Sequence, residues 1–363
     1  MAPLVQTLAG RSEFVSLCCL TGQHRQMLDS VMDAFALKAD YDLNIMQAGQ
    51  TLAEITTRIL TGMEPVLNQV KPDMVLVHGD TSTAFAAALA AFYHKIPVGH
   101  VEAGLRTHKM YAPYPEEINR TLLADLATLH FAPTASCREN LRREGVAENV
   151  FVTGNTVIDA LKITARKDFT FAEPVLREMD WENRRVLVLT CHRRENWGVP
   201  MKQIFTAVRR IVRDYPDVEV VYPVHPNPAV RECAQRLLGK QERVHLIEPL
   251  DVLQMHNLIS RAYLVLTDSG GLQEEAPAFG KPVLVLRRET ERPEAVTAGT
   301  VRLAGVETER IVQMTERLLL DAGEYASMAR AVNPYGDGFA CPRIANAICR
   351  YFGGEAEFTE FTR

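Results

Sequence analysis

The 363-residue chain has no Cys-x-x-Cys pair, and its seven cysteines, at 18, 19, 137, 191, 233, 341 and 349, are odd in number. That usage excludes a disulfide scaffold and a structural zinc site, and it points to a reducing, cytoplasmic compartment. There is no long apolar run either: the longest, Ala84 to Tyr93, is about half of what a bilayer span needs. Nor is there a basic surplus. The formal net charge is -5, which speaks against bulk binding to nucleic acid or to a membrane surface. The opening MAPLVQTLAG lacks the basic start and unbroken apolar core of an export signal. Three motifs are missing, G-x-G-x-x-G, G-x-x-x-x-G-K-[ST] and H-E-x-x-H, so a nicotinamide redox route, a P-loop ATPase and a zinc hydrolase all lose support.

What is present is an ordinary globular composition, 47% hydrophobic and 23% charged with 19 Pro and 21 Gly. At roughly 100–200 residues per domain the length suits two domains. Short β-rich runs alternate with longer helical patterns: Phe14–Leu20, Met74–Val77, Ile96–Val101, Leu129–Ala132 and Val150–Thr153, then Val186–Thr190, Val218–Val224, Val244–Ile247, Tyr263–Thr267, Val283–Leu286 and Val301–Leu303. This alternation predicts parallel α/β layers. Leu52, Ile55, Ile59, Met63 and Leu67 share one helical face, giving a crossover helix between the first two runs. The strand rhythm pauses between Asp159 and Asn183, and the expected division is 1–159, 160–335, and a segment 336–363 returning to the first domain. Two doubly wound domains facing each other across a cleft would place a ligand at the C-terminal ends of the strands.

Polar residues gather in those positions: His78-Gly79-Asp80, Glu102-Ala103-Gly104, His192-Arg193-Arg194-Glu195-Asn196, His225-Pro226-Asn227 and Asp268-Ser269-Gly270-Gly271. Each has a bland reading. Asp80 would cap the helix that follows, and Glu102 would pair with Arg106 one turn on. The TDSGGLQEEA stretch carries the most specific chemistry, because two glycines between a strand and a helix let backbone N–H groups approach an oxyanion, as in a diphosphate cradle. Glu274 and Glu275 fall in the first turn, where either acid would complement the helix dipole. A carboxylate so near a diphosphate is more useful accepting ribose hydroxyls, the role favoured for Glu275. Arg292 can grip a phosphate bidentately, or else pair with Glu289 or Glu294. In YPEEINR, Pro115 suits the first helical position, with Glu116 and Glu117 in the first turn. Asp80, Glu102 and Glu116 thus put three acids in the half opposite the phosphate-binding one, a division suited to proton transfer on a sugar whose nucleotide is held elsewhere.

Taken together, HGDTSTAFAAALAAFYHKIPVGHVEAGLRT, YAPYPEEINR, FVTGNTVIDAL, CHRRENWG, VYPVHPNP, LTDSGGLQEEAP, GKPVLVLR, TERPEAVTAGT and NPYGDG resemble, in order, the non-hydrolysing UDP-N-acetylglucosamine 2-epimerases of bacteria. The resemblance covers essentially the whole chain. It implies two Rossmann-like doubly wound domains in the glycosyltransferase-B arrangement, with UDP-sugar in the cleft. It implies a homodimer that interconverts UDP-N-acetylglucosamine and UDP-N-acetylmannosamine for cell-surface polysaccharide, with no nicotinamide and no obligatory metal. Acid/base and leaving-group roles would fall on Asp80, Glu102, Glu116 and His192. Nucleotide contacts would fall on Ser269, Gly270, Gly271, Glu275 and Arg292, and a regulatory second UDP-N-acetylglucosamine on Gln23, Gln26, Glu116, Arg193 and His225. The implied route is anti elimination of UDP to a 2-acetamidoglucal, then re-addition; which acid is base and which is acid stays open. A hydrolysing epimerase, a retaining glycosyltransferase and a catalytically dead UDP-sugar-binding paralogue are the rivals.

The sequence departs from the family pattern at two places. Arg287-Arg288-Glu289 stands where Arg-Asp-Thr is usual, an added positive charge near the phosphate side. Family members also open with a strand and a GTRPEAIK loop immediately before the MAPLV of this chain; a start codon placed one Met late, a fragment or a degraded paralogue would each give such a beginning. A sheet without that strand is expected to melt early and, without the loop's Arg and Lys, to turn over slowly. Thermal melting and epimerase assay beside a chain extended by the strand and loop check this. Equal behaviour of the two would remove both roles from the segment.

Overall fold

Runs such as Val186 to Leu189 and Leu264 to Leu266 are apolar without alternation, so neither face of the strand they form can be left wet; helices must cover both. That is the architecture of the computed structural model, which describes residues 1–22, 25–47 and 49–362, with 26 and 27 as backbone only. Twelve strands are present among the described residues: β1 Cys19–Leu20, β2 Tyr41–Asp42, β3 Val75–His78, β4 Val98–Val101, β5 Leu129–Ala132, β6 Val150–Val152, β7 Arg185–Thr190, β8 Val218–Pro223, β9 Val244–Ile247, β10 Leu264–Thr267, β11 Val283–Val285 and β12 Val301–Leu303. All their pairings are parallel.

The chain divides into two compact units, Met1–Ile163 with Tyr335–Arg363, and Thr164–Pro334. In the first, β3-β4-β5-β6 form one sheet and β1-β2 a separate pair. β2, two residues without an apolar run, gave no signal in the sequence. The expected strand over 14–20 shrinks to β1, because Val15 stands 91% exposed and only 19 and 20 find a ladder partner. The helix Leu52–Val70 starts at a capping box, Thr51 with Glu54, and buries Ile55, Ile59, Met63 and Leu67, while Leu52 stays exposed. The helix Ala340–Tyr351 packs Ile344 and Ile348 with Leu4, Val101, Leu129 and Phe131. Its start is fixed by Asp159, which accepts from the amides of Ala340 at 3.1 Å and Cys341 at 2.9 Å. The segment 335–363 is thereby part of the first unit's core.

The second unit has one six-stranded sheet, ordered β12-β11-β10-β7-β8-β9. Strands 7 to 9 therefore run outward one way from β7, and strands 10 to 12 the other way from β10. The direction of winding reverses between β7 and β10, where the loops leaving the two strands must part and open a crevice. Thr190 and Thr267 pair at that seam, their hydroxyls 2.6 Å apart.

Three histidines lie among these apolar layers. His100 on β4 and His130 on β5 are register partners and almost fully buried, and burial pushes them down to about 3 and about 4; His256 is likewise held at about 4. A neutral ring in the folded chain faces a ring that charges near 6.5 once unfolded. Protons therefore bind the unfolded state first, and stability falls as pH drops from about 6.5 towards 4. Denaturant melts at pH 7, 5.5 and 4 should show this fall, and a His100→Leu chain, less stable at pH 7, should fall less steeply than its parent.

Candidate active site

In the first unit the turn after β3 carries His78, Gly79 and Asp80. Gly79 takes a left-handed φ of +69°, which frees the chain to turn sharply away from the strand. Asp80 is not the helix cap, contrary to its bland reading: Thr81 caps Ser82–Tyr93, its hydroxyl accepting from the Ala84 amide at 3.2 Å. The Asp80 carboxylate instead meets Arg120 at 2.5 Å, and its carbonyl accepts from the Asn119 side chain at 2.8 Å. Both partners belong to the helix Glu116–Leu126, which Pro115 precedes as N-cap, one position earlier than expected.

Glu102 leaves β4 with φ +66°, a conformation a residue with a Cβ adopts only when its surroundings impose it. It does not take Arg106, the partner of its bland reading; Arg106 forms a two-pronged pair with Glu144 at 2.8 and 2.7 Å. The Glu102 carboxylate lies 3.6 Å from His78 Nε2 and 3.4 Å from Asn155 Nδ2. Burial pushes His78 down to about 3, so it sits beside the acid as a neutral ring. Glu116 and Glu117 occupy the first helical turn as expected, but with different fates. Glu116 is half-buried, whereas Glu117 is buried and accepts from the Thr107 and His108 amides at 2.9 and 2.7 Å and from Arg120 at 3.1 Å. In this unit, then, Asp80 and Glu102 end adjacent strands β3 and β4, and Glu117, Asn119 and Arg120 fix one of them.

In the second unit the reversal between β7 and β10 is held by Asp268, fully buried, whose Oδ2 accepts from the amides of His192 and Arg193, both at 2.8 Å, and from Asn196 Nδ2 at 3.0 Å. Its Oδ1 lies 3.2 Å from His192 Nδ1. The His192 ring stacks on His225, centroids 5.3 Å apart and planes 10° from parallel. Burial lowers the His192 pKa while Asp268 opposes the shift. Across the seam, the Ser269 amide donates to the Thr267 hydroxyl at 2.9 Å, and Gly270 and Gly271 lead into the helix Leu272–Ala278. A Cβ on Gly271 would stand 3.2 Å from a Glu275 carboxylate oxygen, so the backbone and that acid come close.

Glu275 is buried enough that its pKa rises to about 7, with Glu274 adding to the rise, and His256 Nε2 lies 3.6 Å from it. Glu274 is more than a dipole partner: it pairs with the Arg292 guanidinium. Arg287 is buried between Glu195 at 2.6 Å and Glu291 at 2.9 Å, while Arg288, the added charge, is exposed. Arg193 and His225 both lie beside His192. Of the remaining expected contacts, Gln26 belongs to the helix Arg25–Ala34, and Gln23 lies outside the described residues. Among the described residues, no three His, Cys, Asp or Glu side chains converge as metal ligands would.

A family model described as UDP-N-acetylglucosamine 2-epimerase matches residues 6–349. The chain belongs to that family. It is 54% identical over 358 residues to a UDP-N-acetylglucosamine 2-epimerase of Bacillus subtilis, covering 98% of this chain and 93% of the relative. To that of Escherichia coli K12 it is 53% identical over 355 residues, covering 96% and 94%. Among solved structures, the Neisseria meningitidis UDP-GlcNAc 2-epimerase bound to UDP-GlcNAc superposes with a TM-score of 0.86 at 48% identity, covering 96% of each chain.

The residues to which the sequence assigned no role are those that hold others in place: Asp268 and Asn196, named only among the polar residues after strands, and Asn119, Arg120, Asn155 and His256. Each stands within or beside a quoted motif, except His256, which nothing in the sequence marks. Asp268→Ala strands two backbone donors and the Asn196 amide, and should cost roughly 3 kcal/mol or more of stability, with Asp268→Asn intermediate. Urea denaturation of the three chains decides it; an unchanged midpoint in the Ala chain would remove the clamp role.

Proposed function

We propose that this chain interconverts UDP-N-acetylglucosamine and UDP-N-acetylmannosamine without hydrolysis, its second unit holding UDP and its first unit moving the C2 proton. The observation that carries the reading is the seam between β7 and β10, where a buried carboxylate aims a histidine and a Ser-Gly-Gly turn opens a helix beside an acid. The Ser269 hydroxyl, the backbone N–H groups of Gly270 and Gly271, Arg292 and His192 supply donors to a diphosphate, and Glu275 accepts from the ribose. Identity above 50% to named epimerases supports the same reading.

The C2 hydrogen of the sugar is too weakly acidic for a carboxylate to remove while the adjacent bond stays intact. Loss of UDP lifts that restriction. One of Asp80, Glu102 and Glu116 takes the C2 proton as the C1–O bond to the β-phosphate breaks, its electron pair leaving on UDP and a C1=C2 double bond forming. Another acid then returns a proton to C2 on the opposite face as a β-phosphate oxygen re-forms the bond to C1. The diphosphate donors stabilise the departing charge in both directions. Arg193 and His225, beside His192, together with Gln23, Gln26 and Glu116, would bind a second, regulatory UDP-N-acetylglucosamine. The protein acts as a homodimer in the cytoplasm, a compartment that suits seven free thiols.

Proton NMR of UDP-N-acetylglucosamine with the protein in deuterated water should show deuterium entering C2 with both UDP-sugars intact. Free N-acetylmannosamine would establish a hydrolase, turnover only with an added acceptor a transferase, and binding without exchange a dead paralogue. Asp80→Asn and Glu102→Gln should keep UDP affinity and lose most turnover, whereas Arg292→Ala should weaken UDP about ten- to a hundredfold by titration calorimetry. Near-normal turnover in either acid variant would return that acid to a structural role.

A further inference from the structure

His100 has no place in the chemistry above, yet it is fully buried directly beneath it. Its Nε2 lies 2.8 Å from the carbonyl oxygen of Gly79. A carbonyl only accepts, so the ring carries its proton on Nε2 and donates. With burial holding the ring neutral, Nδ1 is left as a lone pair, and among the described residues no hydrogen-bond partner reaches it. Burying a polar ring with one nitrogen unsatisfied costs free energy that an apolar residue would not. A strand position that retains it is explained by the bond the other nitrogen makes.

That bond closes a clamp. The Gly79 amide donates to the Val101 carbonyl at 2.9 Å, so the N–H of Gly79 and its C=O are both tied to β4, by Val101 and by His100. Gly79 is the left-handed pivot between His78 and Asp80, and without such ties its φ would be the freest in the turn. The same strand ends in Glu102. β4 therefore sets the position of Asp80 on one loop and of Glu102 on the next.

We infer that His100 is a positioning residue of the epimerase, fixing the Gly79 turn through its Nε2–H so that Asp80 is held in register with Glu102. The inference rests on the proposed function in assigning proton transfer to these acids. Misplacement of a reacting group by about 1 Å can cost a hundredfold in rate.

The test uses reach. A Gln side chain carries its amide nitrogen as far from the backbone as Nε2 of His, and an Asn side chain carries it one bond less. His100→Asn and His100→Leu should lose about ten- to a hundredfold in kcat per UDP-binding site, with KM and UDP affinity within about threefold of the parent. His100→Gln should recover most of the loss. Hydrogen exchange at the Gly79 amide should quicken in the Asn chain and return towards the parental rate in the Gln chain. A parental kcat in the Asn chain, or equal losses in the Asn and Gln chains, would overturn the inference. If His100→Leu fails to fold, the Asn and Gln pair still decides. If the parent exchanges no C2 hydrogen, the functional reading fails on its own, and the Gly79 exchange rates still test the clamp.

Discussion

A parallel sheet has no hairpins, so every strand gives way to a loop at the same edge, and the amides of those loops must find acceptors that the ladder no longer offers. Here the same solution appears three times: a buried carboxylate accepts from two consecutive backbone N–H groups. Asp268 takes those of His192 and Arg193, Glu117 those of Thr107 and His108, and Asp159 those of Ala340 and Cys341. Asp268 and Asp159 lie far in sequence from the amides they hold, whereas Glu117 reaches back nine and ten residues. A charge so buried is tolerable because the donors replace water, and each bond to an ionised group is stronger than a neutral one. Removing the acid would strand both amides together, so these positions accept little substitution even where no chemistry is done.

The same separation of holding residues from the residues proposed to act appears in each unit taken by itself. Asp80 and Glu102 end adjacent strands of one unit and are steadied by Arg120, Asn119 and Asn155; His192 and the Ser269 to Gly271 turn flank the winding reversal of the other and are steadied by Asp268. The residues proposed to act lie at loop starts, where side chains can reach outward. The holding groups lie one layer beneath.

Much of the fold was legible because buried parallel strands have an unmistakable composition. Eleven of the twelve strands, all but β2, correspond to apolar runs in the sequence, and they end within a few residues of where those runs end. β2 escaped because two residues carry no period, and β1 came out shorter than its run because a strand is defined by its partner and not by its own residues. At the candidate site, polar residues after strands were visible as such, but their partners were not. Arg106 sits one turn from Glu102 and yet pairs with Glu144, and Arg292 also reaches Glu274, eighteen residues away. Local spacing suggests pairings that the fold is free to override, since a turn at φ +66° points Glu102 away from the helical geometry on which an i, i+4 argument depends. His256 was invisible for a related reason: in an amphipathic helix a buried histidine reads like any other half-polar position until its neighbours are known.

The interleaved division of the chain has a consequence for its birth on the ribosome. The second unit, Thr164–Pro334, is continuous and can close as soon as it has emerged. The first is not. Its helix Ala340–Tyr351, which covers Leu4, Leu129 and Phe131 and is anchored by Asp159, is made only after the whole second unit. At about 5–20 residues per second, the intervening stretch takes on the order of ten to thirty seconds to synthesise. Through that interval the apolar face awaiting the helix is open to solvent. The order of synthesis thus favours completing the second unit before the first, and it gives chaperones a defined surface and a defined time in which to act.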